Sequence, residues 1–329
     1  SVTDTTRHLT NSGIPTQGIA FYHQSTLDLL QGLSCSVGLR YDYEHARCDF
    51  SKVQQPLNGN GETKSLEQFN RSLHFGQFTP RFSMQYLSSH NQLFYASVSK
   101  GYKAGGFNVS FLNNDDYLYS PEYNWNYEIG TKLSFLNNRL SADLSLFYID
   151  WRNQQITNTI PTVGNVIRNA GRSRNKGIEA SFQARPTKSW MMYMNYGYTD
   201  ARFVHYQKEE RGILKDYEGN YLPMVPRHTF SLTTGYSFYD ICSWIDRLTL
   251  NAGVSVTGPI YWYEDNQAKQ SPYALVNLRI SINKGCFTWE VWSKNLTNTD
   301  YLSYYFVTSK AYAQKGKPIT LGTSVSISL

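Results

Sequence analysis

Catalysis at a single centre needs nucleophiles, bases or ligands at set spacings, and this sequence offers none of the usual sets. It contains no GxSxG, no HExxH and no phosphate-cradling glycine loop. His8, His23, His45, His74, His90, His205 and His228 are scattered without ligand spacing. Cys35, Cys48, Cys242 and Cys286 show no CxxC or CxxH pattern, which argues against zinc. They read as inert thiols, with a disulfide among them left open for an oxidising compartment. The acidic doublets Asp115-Asp116 and Glu209-Glu210 read as solvated loop charge rather than as a metal site. No catalytic residue, metal or cofactor is therefore expected. What the sequence does offer is recognition chemistry, because aromatic rings and cations gather in its long polar connections. Phe107, Tyr117 and Tyr119 share one of these, and Arg168, Arg172 and Arg174 the next. Tyr261, Trp262 and Tyr263 lie in another, and Tyr304, Tyr305 and Lys310 in the last. Rings that stack and cations that donate charged hydrogen bonds suit a bulky, often anionic ligand rich in rings or carbonyls. Two plainer roles compete: a girdle of interfacial aromatics, and arginines paired with acids on neighbouring strands.

The elements that would position these residues are strands. In Glu122–Trp151, Tyr127, Ile129, Thr131, Leu133 and Phe135 alternate with polar or small residues. After Asn137-Asn138, Leu140, Ala142, Leu144, Leu146 and Tyr148 do the same. Period two over such lengths means β-strands with one apolar and one polar face, and the two asparagines suit a turn with positive φ. Globular strands average five or six residues, whereas about 9–11 are needed to cross a bilayer at a tilt. These arms are of spanning length.

The same pattern predicts about thirteen strands, near 17–26, 33–42, 78–86, 93–99, 122–136, 139–152, 173–185, 189–202, 227–239, 247–258, 272–284, 285–295 and 318–329. A polar stretch at about 45–72 reads as a long loop. Connections alternate short and long, which distinguishes a membrane barrel from a sandwich with irregular loops or a propeller with a 40-residue repeat. The expected class is an all-β transmembrane antiparallel barrel whose apolar residues face lipid. Glu128, Lys132, Glu179, Arg185, Arg279, Glu290 and Lys294 then fall on the lumen face, where they could brace an internal plug or solvate the wall. With short turns in the periplasm, the last strand ends there, and residues 1–16 belong to an external loop. An odd strand count, where bacterial barrels are even, marks the chain as part of something larger. An open sheet leaves two unpaired edges in lipid, so the 329 residues are not expected to fold alone.

Composition agrees with this class. No run of about 18 apolar residues occurs, and a mean hydropathy of −0.48 is compatible with half-apolar barrel strands. Tyrosine is abundant, with 26 copies against 17 Phe and 7 Trp, as suits rings with one dry end and one wet end. The net charge of +6 comes from dispersed Lys and Arg, so no nucleic-acid partner is expected. The chain opens on SVTDTTRHLT, which is no signal peptide, so an export signal would lie outside it or have been removed.

Several stretches together resemble the C-terminal half of TonB-dependent outer-membrane receptors, the ligand-gated iron-complex transporters of Gram-negative bacteria. They are FTPRFSMQY (78–86), LFYASVSKGYKAGGFN (93–108), SPEYNWNYEIGTK (120–132), LFYIDWRNQQI (146–156), RNAGRSRNKGIEA (168–180), LPMVPRHTFSL (222–232) and VWSKNLTNTDY (291–301). The resemblance covers most of 17–329 and implies the last thirteen strands of a 22-stranded plugged barrel. The plug, the first strands and the box gripped by the energy-coupling protein TonB would lie outside residues 1–329. It implies uptake of a ferric siderophore or similar iron complex, with outer-membrane lipid, the plug and TonB as partners. Another scarce ligand (an oligosaccharide, cobalamin or heme) remains the alternative within transport, and a passive porin, an adhesin or a surface enzyme lie outside it. In KGYKAGGF (100–107), Gly101, Gly105 and Gly106 could let a loop close over ligand, or form a bulge at the rim. The family usually ends on an aromatic residue, whereas this chain ends on Leu329.

Overall fold

The computed structural model describes residues 6–57, 62–111, 113–160, 163–169, 171–210, 213–307 and 310–328. Leu329 and the side chains of Glu209 and Glu210 lie outside the described residues. The first wall strand, β1, has two segments, Thr6–Gly13 and Thr16–Leu30. They lie end to end along one partner, β2 (Leu33–Pro56). There follow β3 (Lys64–Leu87), β4 (Leu93–Lys103), β5 (Glu122–Phe135) and β6 (Leu140–Arg152). Next come β7 (Arg172–Ala184), β8 (Trp190–His205), β9 (His228–Cys242) and β10 (Ile245–Thr257). The wall ends with β11 (Tyr273–Lys284), β12 (Phe287–Lys294) and β13 (Thr320–Ile327). All pair antiparallel in sequence order within one curved sheet. Among the described residues, β1 and β13 each pair on one side only.

Tight turns join β5 to β6, where Leu136, Asn137 and Asn138 take φ of 54°, 55° and 65°. Asparagine tolerates this left-handed region well, which is why the NN pair marks the turn. At the other end the connections are long and carry small two-stranded ladders of their own, such as Gln155–Ile160 with Gly164–Asn169.

Register turns the sequence alternation into two opposed surfaces. One row across the sheet reads Cys35, Met84, Ala96, Ile129, Leu146, Ile178, Tyr198. The opposite face carries the row Lys132, Asp143, Ser181, Asn195, Ser231, Ser255. There Ser181 donates to Asn195 at 2.9 Å, and Asn195 to Ser231 at 3.2 Å. The apolar row has no protein cover: Ile129 is 59% exposed and Leu146 47%. So extended an apolar surface calls for lipid against it.

Toward the long-loop end the phase of this alternation inverts. On β2 the odd residues Val37, Leu39 and Tyr41 make the outward apolar face, but Ala46, Cys48 and Phe50, all even and buried, carry the apolar face higher up. On β8 the even residues Met192, Met194 and Tyr196 give way to the buried odd residues Ala201 and Phe203. The inner face is therefore apolar where loops fold onto it, and the outer face is charged. This inversion explains one departure from the sequence reading. Residues 45–56 and 64–72 are no loop but the upper arms of β2 and β3, paired from Leu33/Tyr86 up to Gln54/Lys64, while 58–61 lie outside the described residues. Likewise Thr6–Gly13 extends β1 along Asp49–Pro56 rather than forming a loop.

Candidate functional site

The long connections close over the inner face in two differently built groups. In the first, the 104–121 connection packs against the upper β2–β3 hairpin. Phe107 joins Ala46, Cys48 and Phe50 in a buried cluster flanked by Phe69, Leu73 and Phe111. Tyr117 stacks on Phe69 with ring centroids 4.9 Å apart, meets Phe111 edge-on at 4.3 Å, and donates its hydroxyl to Glu67. The Arg71 guanidinium lies 5.2 Å from the Tyr117 ring. Burial pushes the Tyr119 phenol above its ordinary pKa.

Polar side chains then lace this connection to the hairpin at 155–169. Asn108, buried, donates to the carbonyls of Asp116 and Ile167 at 2.8 Å each and accepts from the Ile167 N–H at 2.9 Å. Arg168 grips Asp116 with two hydrogen bonds, of 2.7 and 2.8 Å. Gln155 reaches the Ala104 carbonyl at 2.7 Å, while its own N–H bonds Glu122 at 2.6 Å. The glycines in 100–107 serve close approach here: a Cβ on Gly105 would meet the Tyr119 carbonyl and come within 2.9 Å of the Phe75 ring.

The second group joins 206–227, 258–272 and 295–319. Its inner anchor is the cluster of Ala201, Phe203, Tyr206, Tyr217 and Leu222. Asn266 ties two connections by accepting from the Tyr221 N–H (2.7 Å) and donating to its carbonyl (2.9 Å). Tyr261 stacks on Tyr221 at 5.5 Å, and the Arg202 and Arg227 guanidiniums lie 3.9 and 4.9 Å from that Tyr221 ring. Trp262 is buried, with Tyr304 and Tyr305 beside it at 6.3 and 6.4 Å. Burial raises the Tyr263 phenol, against the opposing pull of the Val307 N–H that it accepts at 2.6 Å. Asp216 is held below the usual carboxylate range by the Glu218 N–H and then by Gln207.

Beyond this anchor, the hairpin of Leu302–Val307 and Ala311–Lys315 turns rings to solvent. Tyr304, Phe306 and Tyr312 are 43, 38 and 47% exposed, and Lys310, preceding Ala311 in the chain, is exposed too. Phe306 stacks on Tyr312 at 5.1 Å and sits 5.8 Å from Tyr304, giving a continuous aromatic strip. The residues marked from sequence thus divide. Phe107, Tyr117 and Trp262 are packed, Arg168 holds Asp116, and Arg172 and Arg174 project from the outer side of the wall. Tyr304 and Tyr305 both lie beside Trp262, and Lys310 is exposed in the same hairpin's connection. Phe306 and Tyr312 are not legible from the sequence, because three consecutive rings at 304–306 show no alternation; they meet through the register of the hairpin, which sets Phe306 opposite Tyr312.

The marked charges take the inner face. Glu128 accepts from the Tyr95 hydroxyl at 2.6 Å, and Lys132 stands opposite Asp143. Glu290 accepts from Ser281 and Ser324 and lies 3.8 Å from Arg279. Lys294 sits over the Trp292 ring at 5.4 Å. Glu179 is opposite Ser145 and Gly197, and Arg185 lies at the short-turn end, its N–H bonded to the Arg139 carbonyl. No group of three or more metal-binding side chains occurs among the described residues.

A wall that is apolar outside, polar inside and looped at one end is that of a transmembrane β-barrel, and the chain belongs to the family of TonB dependent receptor-like β-barrels, whose model matches residues 2–298. This is a family of transport receptors. The pesticin receptor of Yersinia pestis is 24% identical over 97% of this chain and 45% of its own length. The siderophore receptor PiuA of Acinetobacter baumannii is 26% identical over 68% of this chain and 30% of its own. In fold, the ferric yersiniabactin uptake receptor FyuA of Yersinia pestis superposes with a TM-score of 0.78 at 21% identity, over 97% of this chain and 47% of that one. The chain thus spans under half the length of these relatives.

Proposed function

We propose that this chain is the C-terminal portion of an outer-membrane receptor that takes up a ferric siderophore or similar iron complex, energised through TonB. The observation that carries the reading is the division of the loop end: a laced, buried clamp on one side and an exposed strip of Tyr304, Phe306 and Tyr312 with Lys310 on the other. Rings and a cation at the mouth of a polar lumen suit capture of an aromatic or carbonyl-rich anionic chelate. The names of the relatives support the ligand class. The edges of β1 and β13, unpaired among the described residues, support completion by strands outside residues 1–329, since open edges are not tolerated in lipid. The inner charges Glu128, Lys132, Glu179, Arg185, Arg279, Glu290 and Lys294 would face a plug through that lumen.

The test is uptake of labelled ferric siderophores, heme, cobalamin and oligosaccharides by cells expressing the intact gene, with and without the energy-coupling protein. Saturable uptake of an iron complex, lost without coupling, is expected. Unsaturable uptake indifferent to coupling would overturn the reading in favour of a passive pore.

A further inference from the structure

Charge on the inner face is sorted by position. Glu128, level with Phe147, Glu179, level with Ser145, and Asp143 itself put carboxylates on successive inward rungs of β5–β7. Toward the short turns the sign changes. Arg139, Arg185, Lys188 and Arg247, all exposed, line a cavity of about 520 Å³ whose wall is completed by such polar groups as Ser237, Thr249 and Asn251. No carboxylate lines it. A second cavity, of about 430 Å³, shares Asn251 and brings in Arg279, Lys294 and Trp292. One cationic groove thus runs down the inner side of β9–β12 to the short-turn rim.

The rim bases are uncompensated. Arg139, Arg185 and Lys188 have no ion pair or side-chain hydrogen bond among the described residues, and Arg247 has only the Asn283 amide oxygen at 3.1 Å. Of the acids at this end, Asp246 is taken by Lys284 and by the Gly285 N–H, each at 2.7 Å, and Asp240 does not line the cavity. Arg185 stands directly opposite Arg139, its N–H on the Arg139 carbonyl at 2.7 Å, in continuation of the Leu140/Ala184 pairing. Like charges so placed destabilise a sheet. The outer wall gives the contrast: Arg152 and Arg172 are opposed too, but Asp150 lies between them at 3.0 and 2.5 Å. The rim pair lacks its anion.

We propose that the rim cavity is an exit subsite, which takes the anionic iron complex as it leaves the lumen, with carboxylate or catecholate oxygens lying between Arg139 and Arg185. Guanidiniums bind such oxygens through paired hydrogen bonds, and the volume lies within the about 300–1,000 Å³ of small-molecule sites. A lipid is the wrong occupant, because the cavity opens on the polar inner face and not on the apolar outer one. The inference rests on the uptake reading above, and its site lies at the opposite end of the wall from the Tyr304–Tyr312 strip.

The probe is radiolabelled ferric tris-catecholate, an anion, with uncharged ferric tris-hydroxamate as its control. Each is titrated by equilibrium dialysis into the intact protein in detergent, in a Tyr304→Ala/Phe306→Ala background that removes capture at the loop end. The tris-catecholate is expected to bind, more weakly as salt is raised, and the tris-hydroxamate at least tenfold more weakly. Arg139→Gln with Arg185→Gln is expected to weaken tris-catecholate binding at least tenfold, and Arg139→Lys with Arg185→Lys to weaken it less. The Gln variant should melt no lower than its background, because opposed like charges are relieved. Absent binding, or equal affinity with and without the arginines or for the two complexes, overturns this inference alone. So does a lower melting temperature in the Gln variant, which would mean that the arginines brace an acidic segment of the protein itself. Binding as expected, in a protein that shows no coupled uptake in cells, would overturn the uptake reading and with it the exit role.

Discussion

The two loop groups use similar residues to opposite ends. Around 104–121, aromatic rings are spent inward: Phe107 and Tyr117 fill a core with Phe50 and Phe69, and Asn108 and Arg168 fasten that core to the next hairpin. Around 302–315, Tyr304, Phe306 and Tyr312 stay on the surface, and only their base is anchored, through Tyr263 and Trp262. The difference follows from what lies beneath. The upper arms of β2 and β3 present an apolar inner face for the first group to cover. The second has only Ala201 and Phe203 of its buried cluster on a wall strand, and among the described residues its distal rings Tyr304, Phe306 and Tyr312 stack on loop residues rather than on the wall. Composition of a loop is thus a poor guide to its role; the inner face of the strands below it decides.

The comparison can be broken most severely at the first core. Phe50→Ala removes a side chain that is 3% exposed, and loss of such a ring costs about 3–5 kcal/mol. Hydrogen exchange should rise across 104–121 while the 302–315 hairpin is unchanged. A smaller break is Asp116→Ala, which removes the two charged hydrogen bonds from Arg168 and should cost about 2 kcal/mol, read as faster proteolysis within 104–121 and 155–169. Adding Arg168→Ala should recover part of that loss, as a double-mutant cycle would show. The smallest change is Lys310→Gln, which leaves stability within about 0.5 kcal/mol. It should weaken ligand binding roughly threefold at low salt and less at high salt, because an exposed charge is screened.

Much of the wall could be read from residues. Period two gave the strands below Tyr43 and Tyr148, and Asn137-Asn138 gave a turn, because each depends only on neighbours in sequence. The upper wall was hidden because its hydrophobic phase inverts: Arg47 and Asp49 take outward positions while Ala46, Cys48 and Phe50 turn in. Averaged over both faces, such a segment resembles a polar loop. In the candidate site, residue type singled out connections but gave no side-chain direction. Arg172 and Arg174 read as loop cations, yet continuous register with Ile178 carries them to the outer side. Asn108 gave no signal at all, since its role comes from Ile167, fifty-nine residues away.

The central claim, that ligand is captured on the exposed strip and not in the clamp, is tested most directly by equilibrium binding to whole cells. The ligand is the ferric complex that proves to be taken up, and the variants are Tyr304→Ala/Phe306→Ala and Asp116→Ala. The account predicts at least a tenfold loss of affinity, about 1.4 kcal/mol or more, for the hairpin variant at unchanged barrel stability, and a smaller loss for the clamp variant. Unaltered affinity in the hairpin variant, with a tenfold loss in the clamp variant, would contradict it.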